Sequence, residues 1–442
     1  MVAPSALRQA VVPAVSVALA VLAACRPSSS IDAAPAEPVE NPPGAAEMQQ
    51  QREMIPPPPS CANDAWTTYG HDAARTSASG GCLWGPLKLA WSATPRSSAG
   101  GTMLQGTATH AIADEDAVYV AGALGPVPSV WRMAADTGKT KWGYESHTEA
   151  PRGGWPTFAK DRVYLVDDGV NWADAATGHG RRAELDAWGE SVSDGERVFA
   201  ENNWYLDGYG LYVSAFDMDL KLLWRRDYNA LSKGYQVPDV GGLALAGGLL
   251  VHAAQHGALS GTALSAFDPQ SSERRWRAAT SPQSSPSIAD GRVYTMERLP
   301  GEKTDRLVAR DLATGTVAWA TELANARGPA PVLAGKFVIA HASDGVVAFA
   351  AATGERVWTA GLPRTEPPVQ SSTTLAAAMG SRTLVVVSGT RVHVVRLDDG
   401  GEIWGDAPIP HAKKIEGPVI VGHTLYLVAD ARVVRLDGSD EH

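Results

Sequence analysis

The sequence predicts an all-β fold, an eight-bladed β-propeller of four-stranded antiparallel blades closed by an N-terminal strand that joins the last blade. Three observations predict it. A hairpin pattern recurs eight times beyond residue 100. A turn glycine stands at a fixed step before a tryptophan in repeat after repeat. The last repeat stops short of its tryptophan, while a spare one stands ahead of the first.

The hairpins define the repeat. In Ser287-Ile288-Ala289-Asp290-Gly291-Arg292-Val293-Tyr294 a short β-type run enters a tight polar turn and leaves as a second run carrying an aromatic. Counterparts stand at 114–119, 160–164, 194–199, 247–251, 335–338, 380–385 and 422–426. Asp-Gly and Gly-Gly pairs supply the positive φ angles that tight hairpins need, and alternation in the flanks buries one side of each strand.

Each hairpin leads to a third run and a further turn. The glycines of Asp136-Thr137-Gly138, Ala313-Thr314-Gly315, Ala352-Thr353-Gly354 and Asp399-Gly400 stand four residues before Trp142, Trp319, Trp358 and Trp404. Looser copies end at Trp224 and Trp276, with Leu220 and Ser272 in the glycine position, and the second copy replaces the tryptophan with Arg182 after Thr177-Gly178. The final copy, Val433-Val434-Arg435-Leu436-Asp437-Gly438, has no fourth strand; Leu87-Lys88-Leu89-Ala90-Trp91-Ser92 is the candidate to supply it. A lone four-stranded sheet leaves both faces wet, so such units must stack, and radial stacking also protects their edges. Trp91, Trp142, Trp224, Trp276, Trp319, Trp358 and Trp404 are therefore expected to pack between blades, with Trp91 as the clasp of the ring.

Composition agrees with many short strands: of 442 residues 44% are hydrophobic and 19% charged, with 44 Gly and 30 Pro. A net charge of −10 without a clustered basic surface argues against nucleic acid as a partner. Residues 1–24 read as a signal peptide, since their apolar run is too short to span a bilayer comfortably. The run ends in Leu22-Ala23-Ala24-Cys25, which resembles the lipobox of bacterial lipoproteins and implies acylation of Cys25. Residues 25–60, with Pro56-Pro57-Pro58-Pro59, have too few large apolar side chains to fold and form a tether. In an exported protein Cys61 and Cys82 are expected to bridge, closing a lead-in segment over 61–90 ahead of the propeller at 91–442; the bridge would contribute roughly 3 kcal/mol. His71 alone makes no metal site.

The Thr-Gly pair and its tryptophan resemble the repeats of the pyrroloquinoline-quinone-type propeller superfamily over residues 91–442, and Trp66-Thr67-Thr68-Tyr69-Gly70-His71-Asp72-Ala73-Ala74-Arg75-Thr76 looks like the lead-in of its secreted members. With the lipobox, the chain is most similar to the propeller lipoproteins of the outer-membrane β-barrel assembly machinery. That resemblance implies a non-catalytic scaffold, anchored in the outer membrane facing the periplasm, which docks protein partners by loops at one propeller face.

The rival within the superfamily is a quinoprotein dehydrogenase holding pyrroloquinoline quinone and Ca²⁺ in its funnel. That resemblance implies an adjacent cysteine pair, which this chain lacks. The best oxygen-rich stretch, Asp167-Asp168-Gly169-Val170-Asn171-Trp172-Ala173-Asp174, has no EF-hand spacing and reads as a turn. His252 and His256 stand four apart, but Leu249-Leu250-Val251 argues for a strand and no acidic base accompanies them. Ser284 and Ser285 have no nucleophile-elbow context. No enzyme activity and no cofactor or metal is expected. Asn202-Asn203-Trp204-Tyr205-Leu206-Asp207-Gly208-Tyr209-Gly210-Leu211-Tyr212 makes an aromatic-rich segment of the third blade, with Trp204, Tyr205 and Tyr209 as a candidate partner or ligand loop; a cell-surface glycan binder is the reading that loop would support.

Overall fold

The computed structural model describes residues 61–96, 107–123, 130–145, 154–166, 169–183, 189–202, 211–229, 241–254, 263–298, 302, 304–323, 330–342, 345–361, 373–409 and 412–439. The signal segment, Cys25 and the tether lie outside the described residues, as do Trp204, Tyr205, Tyr209 and His256.

Eight antiparallel blades follow one another along the chain, and the lead-in segment Ala78–Ser79 adds a short parallel strand to the inner edge of the seventh. Blade 1 spans residues 107–144, blade 2 157–182, blade 3 191–229, blade 4 241–278, blade 5 281–322, blade 6 332–360 and blade 7 374–408. Blade 8 takes three strands from 415–437 and its fourth from the far end, where Lys88–Ala93 pairs antiparallel with Arg432–Asp437. The ring is thus closed by an N-terminal strand, with Trp91 opposite Arg435.

Alternation explains the core. The second and third strands of each blade are almost wholly buried, as in Thr383–Ser388 and Ala263–Phe267, because each has a neighbouring blade on both faces. The fourth strands are half exposed, as in Val317–Glu322. Seven of the eight fourth strands carry a register shift beside the tryptophan, so that Trp319 opposes Ala309 and the next pair is Val317 with Arg310. A bulge adds local twist and re-aims a side chain, here turning the indole from the outer rim into the seam between blades. Blade 2 is the exception: Arg182 pairs with Asn171 in unbroken register, and its fourth strand is only Gly180–Arg182.

The indole N–H then finds the next blade. Trp91, Trp142, Trp224, Trp276, Trp319 and Trp358 donate to the carbonyls of Ala135, Ala175, Pro269, Leu312, Ala351 and Leu397 at 2.8–3.0 Å. In five of these six seams the ring lies on the turn glycine of that next blade, and blade 4 has Ser272 in its place. A Cβ at Gly354 (φ +75°) would stand 2.5 Å from Cε3 of Trp319, so side-chain bulk and backbone angle both demand glycine there. The glycine and tryptophan of one repeat therefore serve opposite seams. Trp404 packs beside Gly85 instead.

Candidate functional site

The lead-in, residues 61–82, makes a circuit of the inner strands. Trp66 exchanges backbone hydrogen bonds with Ala113 of blade 1, and the Thr67 carbonyl accepts from Phe158 of blade 2. The Thr68 hydroxyl donates to Ser191 O in blade 3. The carbonyls of Ala73, Ala74 and Thr76 accept from Leu245, Ile288 and Leu333 of blades 4, 5 and 6. Those of Ser77 and Ser79 accept from Ala377 and Met379 of blade 7, and the Cys82 N–H donates to Gly422 O of blade 8. Inner-strand N–H groups are left over where a blade faces the axis, and buried backbone donors must find acceptors. The coil supplies them in chain order around the ring.

Its two ends are joined. A disulfide links Cys61 to Cys82 across 21 positions, and the Asp64 carboxylate accepts from the Ser79 hydroxyl at 2.7 Å and the Gly80 N–H at 2.9 Å. His71 sits between Asp64 (3.1 Å) and Asp72 (3.5 Å). Burial works against its charge, but the two carboxylates outweigh that and raise its pKa to about 9, while the Asp64 carboxyl is held at about 2, its burial outweighed by His71, Gly80 and Ser79.

From the coil, Arg75 reaches into the ring, fully buried. It donates to the carbonyls of Leu243 and Tyr69, each at 2.7 Å, and pairs with Glu190 at 2.8 Å. Glu190 in turn accepts from Ser285 Oγ, and its N–H donates to Glu201, whose other oxygen lies 3.2 Å from His252 Nε2. Burial pushes the Glu190 carboxyl up to about 7, against the pull of Arg75 and with a further push from Glu201. The network joins Arg75 of the coil to Glu190 and Glu201 of blade 3 and His252 of blade 4. His252 is a strand residue bound to a carboxylate, and Ser285 is a hydrogen-bond donor within the same network.

Aromatic rings fill the rest. Tyr69 packs on Trp155 at 4.0 Å, and Trp155 stacks on His110 of blade 1. The Tyr69 hydroxyl reaches the backbone of Ala330, at the entrance to blade 6, and burial raises its pKa. Blades 2 and 6 are diametrically opposed in a ring of eight, so Tyr69 spans the axis.

These residues do not fit pyrroloquinoline quinone and Ca²⁺. The cysteines bridge the ends of the coil and form no adjacent pair, and among the described residues no three His, Cys, Asp or Glu side chains converge as metal ligands. Sequence reasoning recognised the lead-in motif but missed its circuit; the signal available was its run of small polar residues with buried Arg75 among them.

The fold is an eight-bladed propeller whose ring is closed by an N-terminal strand in the last blade. A family model described as outer membrane protein assembly factor BamB matches residues 260–439. Among solved structures, BamB from Moraxella catarrhalis is similar at 17% identity with a TM-score of 0.57, covering 81% of this chain and 99% of that one. The quinohemoprotein alcohol dehydrogenase from Comamonas testosteroni is similar at 14% identity and 0.61, covering 86% and 82%. A computationally designed protein, Ika8, is similar at 15% and 0.59, covering 78% and 100%. No curated protein matches the chain by sequence. At these identities the structural likenesses show the fold alone.

Proposed function

We propose that the chain is a non-catalytic, extracytoplasmic lipoprotein scaffold that binds protein partners through propeller loops, with outer-membrane protein assembly as its setting. The filled axis carries this reading. A propeller's ligand funnel opens along its axis, and here the coil, Arg75, Tyr69 and Trp155 occupy that place and pair the inward-facing polar groups. Recognition is then left to the loops. The match of residues 260–439 to the assembly-factor model supports the setting.

Affinity capture with the full-length, acylated protein from detergent-solubilised membranes should recover barrel-assembly components. Reproducible recovery of none would count against the setting. Dye-linked alcohol oxidation by the protein supplied with the quinone and Ca²⁺ would overturn the non-catalytic part. The anchor has its own test: Cys25→Ser should abolish fatty-acid labelling and release the protein from membranes, and undiminished labelling refutes it.

A further inference from the structure

The seam between blades 5 and 6 holds a cavity of about 470 Å³. Tyr294 of blade 5 lines it, facing Phe337, Val357 and the turn alanines 350, 351 and 352 of blade 6. Two cations, Arg292 and Lys336, and one carboxylate, Asp290, stand at it.

The corresponding place between blades 2 and 3 explains why this one is open. In both seams an arginine Nη1 and a tyrosine hydroxyl donate to one carbonyl of the next blade's turn: Arg162 and Tyr164 to Met218, Arg292 and Tyr294 to Ala351. One residue further along the turn, Asp219 lies 2.9 Å from Arg162. Blade 6 has Ala352 there; Arg292 donates to its carbonyl at 2.9 Å and has no ion pair with a carboxylate among the described residues. Below Arg162, the ring of Trp172 lies 4.1 Å away. Blade 5 has Ala309 at that position, since Tyr164 pairs with Trp172 as Tyr294 pairs with Ala309. On the facing hairpin turn Lys336 stands where blade 3 has Glu196. One seam is thus filled and neutralised by its own side chains, while the other is hollow and carries two cations against one carboxylate.

Arg292 faces Asp311 across the strand pair, as Arg162 faces Asp174, but among the described residues no carboxylate is hydrogen-bonded to it as Asp219 is to Arg162. A guanidinium so placed takes an oxyanion, and a cavity of this size accepts a small organic molecule. The aromatic and aliphatic walls require an apolar body. Two cations, Arg292 and Lys336, line the cavity against one lining carboxylate, Asp290, an arrangement that suits a monoanion. We propose that the seam between blades 5 and 6 binds a small carboxylic acid with an apolar body, its carboxylate on Arg292 and Lys336 and its hydrocarbon part against Tyr294, Phe337 and Val357. The site lies in a seam between blades and not at the axis.

Trp319 provides a reporter, because its indole N–H donates to the Ala351 carbonyl in the cavity wall at 2.9 Å. The full-length protein is titrated with 4-phenylbutyrate and with its neutral amide, followed by tryptophan fluorescence and by calorimetry. Saturable binding of the acid is expected, with the amide weaker by about tenfold or more. Ala352→Asp installs the carboxylate that Asp219 provides in the other seam, at an exposed turn position; it should weaken the acid about tenfold with the melting temperature unchanged. Arg292→Met should act in the same direction. Equal binding of acid and amide, wild-type affinity in Ala352→Asp, or no saturable binding at millimolar ligand each overturns the proposal.

Discussion

The seam between blades 5 and 6 is bridged by an indole on the fourth strand; the seam between blades 2 and 3 is bridged by one on the third. In the first, Trp319 is turned inward by a bulge, lies on Gly354 and donates to Ala351 O. In the second, the fourth strand has Arg182 and no bulge, Trp172 packs inside the seam, and the next blade's turn carries Leu220 at φ +64° where its counterparts other than Ser272 carry glycine. Three departures from the repeat thus have one cause. Without an indole arriving from the preceding fourth strand, nothing compels a bulge there or a bare Cα on the facing turn, and Leu220 is free to be a buried apolar residue. Ser272 fits the same reasoning partway: it receives Trp224, keeps a positive φ of 60°, and is the smallest of the two replacements for glycine.

The largest expected effect separates the two indoles. Trp319→Ala should cost about 3–5 kcal/mol in urea-induced unfolding, from the cavity it leaves and the lost hydrogen bond. Trp172→Phe should be close to neutral, because the Trp172 N–H is buried with no hydrogen-bond partner among the described residues, and its loss removes that donor. Equal costs for Trp319→Phe and Trp172→Phe would remove the distinction between the seams.

The coil crosses both seams, so its loss should be felt in both alike. His71 has its pKa raised to about 9 in the folded chain against an ordinary value of 6.5. Its contribution is therefore fully present below about pH 6.5 and is lost as pH rises through 9, amounting to about 3 kcal/mol at most. The difference in melting temperature between the wild type and His71→Gln should shrink over that interval. Amide exchange at Phe158, which donates to the coil from blade 2, and at Leu333, which donates from blade 6, should accelerate together. Acceleration at only one would mean that the coil is held by local contacts and not by its circuit.

A smaller effect tests the turn. Gly354→Ala places a methyl against Trp319 and an L-residue at φ +75°, and should cost about 2 kcal/mol.

Periodicity made the ring legible. The eight hairpin turns fall where the spacing puts them, and the strand that closes blade 8 is Lys88–Ala93, one residue displaced from the stretch singled out around Trp91. What periodicity hid is contact between repeats. The four-residue step from Gly354 to Trp358 suggests one motif, yet Gly354 meets Trp319 and Trp358 meets Gly400. Trp172 looked like part of an acidic turn because its role depends on what Arg182 lacks. Arg75 and Leu243 O lie 168 positions apart, and no repeat relates them, since the coil occurs once and touches every blade. The hollow seam was invisible for a simpler reason: the alanines at 350, 351 and 352 read as ordinary turn residues until Asp219 shows what the position holds elsewhere.

The smallest expected effect on stability sharpens the comparison most. Asp219→Ala removes the carboxylate beside Arg162, an ion pair whose acidic side chain is 69% exposed. Exposed pairs of this kind contribute about 0–1 kcal/mol, so the melting temperature should barely move. If the missing carboxylate were all that distinguishes the open seam, this variant would acquire binding of an apolar carboxylate. Trp172 still fills the space beneath Arg162 at 4.1 Å, however, so the expected result is no gain in binding by calorimetry until Trp172→Ala is added. Binding in the single variant would assign the difference between the seams to charge alone. Binding in the double variant only would assign it to charge and volume together, as the pairing of Ala309 with Trp319 in blade 5 and of Trp172 with Arg181 in blade 2 requires.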